Sequence, residues 1–153
     1  MLTRMGKMCC HLNNVEARSQ GSGYYINWIA SDNSAIRTTG LVSVLSSLVL
    51  SVGTGSDAPA STDINITNRD AGLTVVNRTN TSGIVNPEYT QDYIGIFTVT
   101  YRNDTDSDVT VSESGLFGTA NGDGIKSVLL ARDVFDPVTI APGEAYTFTM
   151  YIG

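Results

Sequence analysis

The chain has 153 residues, which is room for one domain of ordinary size and little more. Val, Ile and Thr supply 43 residues while Glu, Lys and Met supply only 10, and 39 are Leu, Ile, Val or Phe. β-Branched side chains lose rotamer freedom in a helix and pack well on a pleated surface, so this composition builds a sheet with a core and excludes a helical bundle. The net charge of −6, with no cluster of Lys and Arg, excludes binding to a phosphate backbone irrespective of sequence.

In chain order, residues 1–21 show no clean period and end at a Gly-Ser-Gly break, so an N-terminal arm with at most one short helix is expected there. Residues 1–40 carry four basic and two acidic groups, whereas residues 41–153 carry five and 13. A mildly positive arm on an acidic body can dock on an acidic neighbour, although exposed charge more often serves solubility alone. Gly23 to Ile29 alternates, with Tyr24, Ile26 and Trp28 on one face, and reads as a strand. After the Ser31–Ser34 turn, Ala35 to Thr39 reads as a second. Leu41 to Val52 fits a strand at period two or a helical stripe through Leu41, Leu45 and Leu48. That run is well short of the roughly 20 residues that span a bilayer, and it sits too far into the chain to be a signal peptide.

Gly53 to Thr62 is a turn region, Leu73 to Val76 a short strand, and Asn77 to Glu88 a polar loop. Tyr93 to Arg102 alternates over its whole length. Asn103 to Ser107 then turns the chain into a returning strand from Asp108. Beyond the turn Asn121–Gly124 come Val128 to Ala131, Val138 to Ile140 and Tyr146 to Ile152. The last two are joined by Ala141-Pro142-Gly143-Glu144, where Pro and then Gly supply the two φ values of a type II turn. Short strands about ten residues apart indicate an all-β fold. The expectation is an antiparallel β-sandwich, immunoglobulin-like or jelly-roll-like, as a single domain over residues 22–153 behind the N-terminal arm.

No motif argues for an enzyme. His11 directly follows Cys9 and Cys10, and neighbours on an arm cannot reach across to one another as a nucleophile and base must. Adjacent cysteines rarely bridge each other, so an internal disulfide framework is excluded and an intersubunit one through Cys9 and Cys10 stays open. Gly53-Thr54-Gly55-Ser56-Asp57-Ala58 matches the outline of a dinucleotide fingerprint, but Pro59 follows where a helix should open, and a glycine turn explains it better. Asp104, Asp106 and Asp108 begin like an EF-hand, yet Val109 and Gly115 occupy the positions that need Gly and Glu. A looser calcium site using Glu113 or another loop stays open, against the plainer reading of a charged hairpin tip. Acidic residues are too scattered to nominate a glycosidase pair. Tyr24, Tyr25, Trp28, Tyr89 and Tyr93 could form a sugar platform, although alternating aromatics are more often core or subunit contacts. Four N-x-[ST] sequons, at Asn65, Asn77, Asn80 and Asn103, read as products of an Asn- and Thr-rich composition.

Two segments, taken in order, carry a resemblance. The first is Val52-Gly53-Thr54-Gly55-Ser56-Asp57-Ala58-Pro59 with Ser61-Thr62-Asp63. The second is Val111-Ser112-Glu113-Ser114-Gly115-Leu116-Phe117, then Leu129 to Arg132 and Phe135 to Val138, before the closing strand. The order resembles a group of small virion proteins of tailed bacteriophages, found among tail, neck and fibre-associated components. It departs from the group's pattern at Ile64-Asn65, where an apolar residue and a Glu are usual. The resemblance implies a non-enzymatic structural subunit located in the virion, either tail-, neck- or fibre-associated or a head decoration. It would act by protein–protein assembly as a homo-oligomer, with copies of itself and other virion proteins as partners, and with no cofactor, nucleic acid or membrane. The alternative is a receptor- or glycan-binding β-sandwich module. Within the pattern, Gly115 is expected to permit a bulge, and Arg132 to pair with Glu113 across the sheet.

Overall fold

A computed structural model describes residues 16–20, 23–38, 48–60, 62–84, 93–122 and 124–152. Among them the regular structure is all β and all antiparallel: nine strands in three sheets of three. Strands β1 (Glu16–Gln20), β2 (Gly23–Ile29) and β3 (Ala35–Thr38) form a meander. Strand β4 (Val49–Gly53) joins β7 (Val109–Gly122) and β8 (Gly124–Ile140) in the order β4-β7-β8. Strands β5 (Thr74–Ile84), β6 (Tyr93–Arg102) and β9 (Ala145–Ile152) form the third sheet, in the order β5-β6-β9.

The second and third sheets share one core. Leu50, Val52, Val111, Leu116, Ala131 and Ile140 come from one, and Phe97, Val99, Tyr101, Phe148 and Met150 from the other. Burying each large apolar side chain contributes about 1.5–3 kcal/mol, so this shared layer is the main reason the two sheets stay together. Three connections cross between them: residues 54–73 after β4, 103–108 after β6, and 141–144 after β8. The last two are tied at one point by Asn103, which is fully buried. Its Nδ2 donates to the carbonyls of Ser107 (2.7 Å) and Ile140 (2.8 Å), and its backbone bonds Gly143 and Glu144.

Several expectations change on contact with this topology. The strand after Asn103–Ser107 does not return beside β6; β7 pairs with β4 and β8 instead, because residues 103–108 carry the chain to the other sheet. The polar stretch expected as a loop after Val76 continues β5 to Ile84, its polarity suiting an edge strand. The two short strands expected within residues 128–140 are one, β8, tolerating Pro137 because it too is an edge. Of the expected arm, Glu16–Gln20 is a strand paired with β2, and residues 1–15 and 21, including Cys9, Cys10 and His11, lie outside the described residues. The helical alternative for Leu41 onward also falls largely outside them, while Val49–Gly53 is extended. At Gly143, φ is +79° and Glu144 N donates to Ala141 O, the geometry that Pro142-Gly143 requires of a type II turn.

Candidate functional site

Glu113 organises the best-defined polar cluster. Strict alternation along β7 would put Val111 and Leu116 on opposite faces, yet both enter the shared core. The pairing explains it: Ser112 alone stands opposite Phe135, Asp136 and Pro137 of β8, and alternation slips there by one residue. Beyond the slip Glu113 faces away from the shared core, beside Gly53 of β4. Gly115 lies in register with Arg132, so the expected bulge is not at Gly115; the extra residues are on β8, at Leu130 and at residues 135–137. What Gly115 provides is space, since a Cβ there would stand 2.9 Å from both Ile66 and Phe117 and 3.0 Å from Leu129. Those three side chains form a small second core on the outer face of the sheet.

The Glu113 side chain has no exposed surface, and the protein occupies both of its oxygens. Oε1 accepts hydrogen bonds from the backbone N–H groups of Gly55 (2.7 Å) and Thr67 (2.6 Å). Oε2 accepts from Arg132 Nε at 2.7 Å, a diagonal cross-strand pair of the kind the sequence suggests. Arg132 also donates from Nη1 to Asp63 Oδ2 at 2.8 Å, and that same oxygen accepts from Ala60 N at 2.8 Å. Ser112 Oγ donates to Gly55 O at 2.9 Å. Burial pulls the Arg132 guanidinium down, but hydrogen bonds to Glu113 and Asp63 outweigh it and hold the group above its ordinary value. Gly53 and Gly55 belong to this cluster by what they lack: a Cβ at Gly53 would stand 2.8 Å from Glu113 Oε1, and one at Gly55 would overlap the carboxylate. The G-x-G that looks like a nucleotide motif makes room for a carboxylate of the protein itself.

Residues 54–73 are thus bound over the outer face of the β4-β7-β8 sheet, and a second set of contacts fastens their far end. Arg69 lies 3.8 Å over the Phe117 ring and donates to Ser51 Oγ (3.1 Å) and Ser127 Oγ (3.2 Å). Asp70 accepts a hydrogen bond from the Tyr101 hydroxyl, while Asp70 N donates to Val52 O. Burial, and then Asp70, push the Tyr101 phenol up to about 12. Asn68, Asp70 and Ala71 adopt positive φ, as does Gly72, an uncommon run for residues with a Cβ. At the centre of the cluster Glu113 is fully buried, and the Arg132 side chain is 9% exposed. The chemistry of the cluster is to convert two loops and two strands into one rigid unit.

The remaining expected candidates separate. Arg102 pairs with Asp104 through two hydrogen bonds, which hold that carboxyl below its ordinary value, and Asp106 and Asp108 are exposed. Glu113 spends both carboxylate oxygens in the cluster above and does not join these aspartates. Among the described residues no group of three or more His, Cys, Asp or Glu converges on a metal position. The Asn103 sequon has its amide buried and engaged, so its composition reading gains a structural reason. Tyr89 lies outside the described residues, and Tyr24, Tyr25, Trp28 and Tyr93 are placed only by strand, on β2 and β6. Asp63, Arg69, Asp70, Tyr101 and Asn103 were not singled out as site residues from sequence. Little local marks their roles, because the partners that tie them to the sheets, such as Arg132 for Asp63, Tyr101 for Asp70 and Ile140 for Asn103, are distant in the chain. Among the described residues no helix is long and apolar enough to cross a membrane. Comparison of the chain with protein-family models, with curated proteins and with solved structures yields no match.

Proposed function

We propose that the chain is a non-enzymatic structural subunit of a tailed-phage particle, an antiparallel β-sandwich that acts through contacts with copies of itself and with other virion proteins. One observation carries this reading. The separated segments that bear the resemblance to phage virion proteins meet in space, with Gly53, Gly55, Asp63, Ser112, Glu113 and Arg132 all in one cluster. Residues tied together in this way act as one structural unit, which gives the ordered set of resembling segments more weight than its pieces have separately. The cluster's groups are spent on internal bonds, as suits a rigid building block. Cys9 and Cys10 on the arm would add intersubunit disulfides in the oxidising medium outside a host.

Quantitative mass spectrometry of purified particles from the source tests this. The expected result is a stoichiometric, wash-resistant presence, with a copy number that separates a head decoration from a neck or tail ring. Absence from particles overturns the proposal and favours a glycan-binding sandwich.

A further inference from the structure

Four strands form the edges of the two sheets that share the core, and three of them are closed. The free side of β4 is met at Leu48 O by Asn80 Nδ2 (2.8 Å), at Leu50 O by Arg78 Nε (3.5 Å) and at Val52 O by Asp70 N (2.7 Å). Strand β5 supplies those polar side chains, carries the charge of Arg78, and is itself kinked by an irregularity at Val76. Strand β8 is broken by its two bulges and Pro137, and Ser31 N donates to its Ser127 carbonyl. These are the devices by which natural sheets prevent edge-to-edge pairing. Strand β9 has none of them. Its eight residues, Ala-Tyr-Thr-Phe-Thr-Met-Tyr-Ile, include no charge and no proline, and they pair with β6 in unbroken register. Among the described residues no hydrogen bond reaches its outer backbone edge. Tyr146 and Tyr151 are 45% and 49% exposed, and Thr147 and Thr149 are exposed between them.

We infer that β9 is the strand through which two copies of this chain join, edge to edge and antiparallel, making one continuous six-stranded sheet. The inference rests on the structural-subunit reading above and names its contact surface. A second copy is the occupant for two reasons. Along the strand Thr147, Thr149 and Tyr151 alternate with Phe148 and Met150, and Tyr146 packs on Phe148, so one face is uncharged and polar and the other apolar. Two-fold antiparallel pairing centred on Thr149 therefore sets Thr149 against its like and Thr147 against Tyr151 on the outer face, and Phe148 against Met150 on the inner one. The sheet is also free of acidic residues: β5, β6 and β9 contain no Asp or Glu in a chain with 15, so two acidic copies meet where neither presents a carboxylate on a strand.

Sedimentation of the full chain over a range of micromolar concentrations, beside its Thr149→Lys variant, tests the inference. Thr149 is exposed at the centre of the strand, so the variant should fold, which circular dichroism checks. The wild type should dimerise, and Thr149→Lys should weaken the dimer at least about tenfold by placing like charges on facing edges. Val76→Lys, a charge on the kinked edge, should leave it unchanged. A wild-type monomer throughout, or a Thr149→Lys dimer as tight as the wild type, overturns the inference. If the isolated chain is monomeric but Thr149→Lys is lost from particles, the edge takes a strand of another protein and the second-copy assignment is wrong. Wild-type dimers that Thr149→Lys disrupts, together with absence from particles, would uphold the edge contact and overturn the virion role.

Discussion

At β4 the carbonyls of Leu48, Leu50 and Val52 are each met by a donor from elsewhere in the chain, whereas among the described residues the outer backbone of β9 meets no donor or acceptor. Both are edge strands of sheets that share one core, so burial does not explain the difference. What differs is the chain that follows. After β4, twenty residues fold back over the sheet and are held by Glu113 and Arg69, and β5 then turns Arg78 and Asn80 inward. Among the described residues no comparable segment is bonded to the outer edge of β9. The polar side chains of this fold thus close the β4 side, while the β9 edge is the one the proposed dimer would complete.

The locked side is most strongly broken at Glu113. Glu113→Ala should destabilise the chain by about 3–5 kcal/mol in a denaturant titration, because the fully buried carboxylate that binds Arg132 Nε and two backbone N–H groups is lost. A loss under about 1 kcal/mol would make the cluster ornamental. Gly55→Ala should cost about 1–3 kcal/mol by driving a methyl group into the carboxylate. Gly72→Ala should cost less, on the order of 1 kcal/mol, since only its positive φ is at stake and no atom lies within 4 Å of the added carbon. Equal losses at the two glycines would mean that the close approach at Gly55 is unimportant.

Tyr101 sharpens the comparison through pH. Its hydroxyl is held up to about 12, above the ordinary value of 10, so the neutral phenol is the form the fold prefers. The stability it contributes is fully present below pH 10 and is lost as pH rises from 10 towards 12. Tyr101→Phe should lower stability by about 1 kcal/mol at neutral pH and flatten that alkaline loss. An alkaline profile identical in the two proteins would place the titration elsewhere. The smallest effect is expected at Lys126, whose 2.6 Å pair with Asp32 is exposed on both sides. Lys126→Ala should leave the melting temperature unchanged within error at neutral pH, and a clear drop would show that the Ser31–Ser34 turn depends on this pair.

Much of this fold is legible in the sequence where a strand is half buried. Tyr93 to Arg102 alternates cleanly because β6 is the central strand of its sheet, with one face in the core. The reading fails where a strand edge is polar or irregular. Residues 77–84 look like a loop because Arg78 and Asn80 serve the closure of β4, and β8 looks like two strands because its bulges interrupt the period. The sheet change at residues 103–108 is hidden because a crossover and a hairpin turn use the same Asn, Asp and Ser residues. In the candidate site, the pairing of Glu113 with Arg132 is legible as opposite charges on successive strands. The purpose of Gly53 and Gly55 is not, since it depends on a carboxylate 58 residues away from Gly55. Asp63, Asp70 and Asn103 are likewise ordinary loop residues until the fold supplies their partners.

Amide hydrogen exchange on the full chain, dilute and concentrated, tests the contrast between the locked and open sides most directly. The account predicts that the Gly55 and Thr67 amides, which donate to Glu113, are protected at both concentrations although they lie in a connecting segment. It predicts that the outward amides of β9 exchange fast in dilute solution and become protected as the chain associates. Exchange of Gly55 and Thr67 at the rate of an open loop, or β9 amides whose rate ignores concentration, would contradict it.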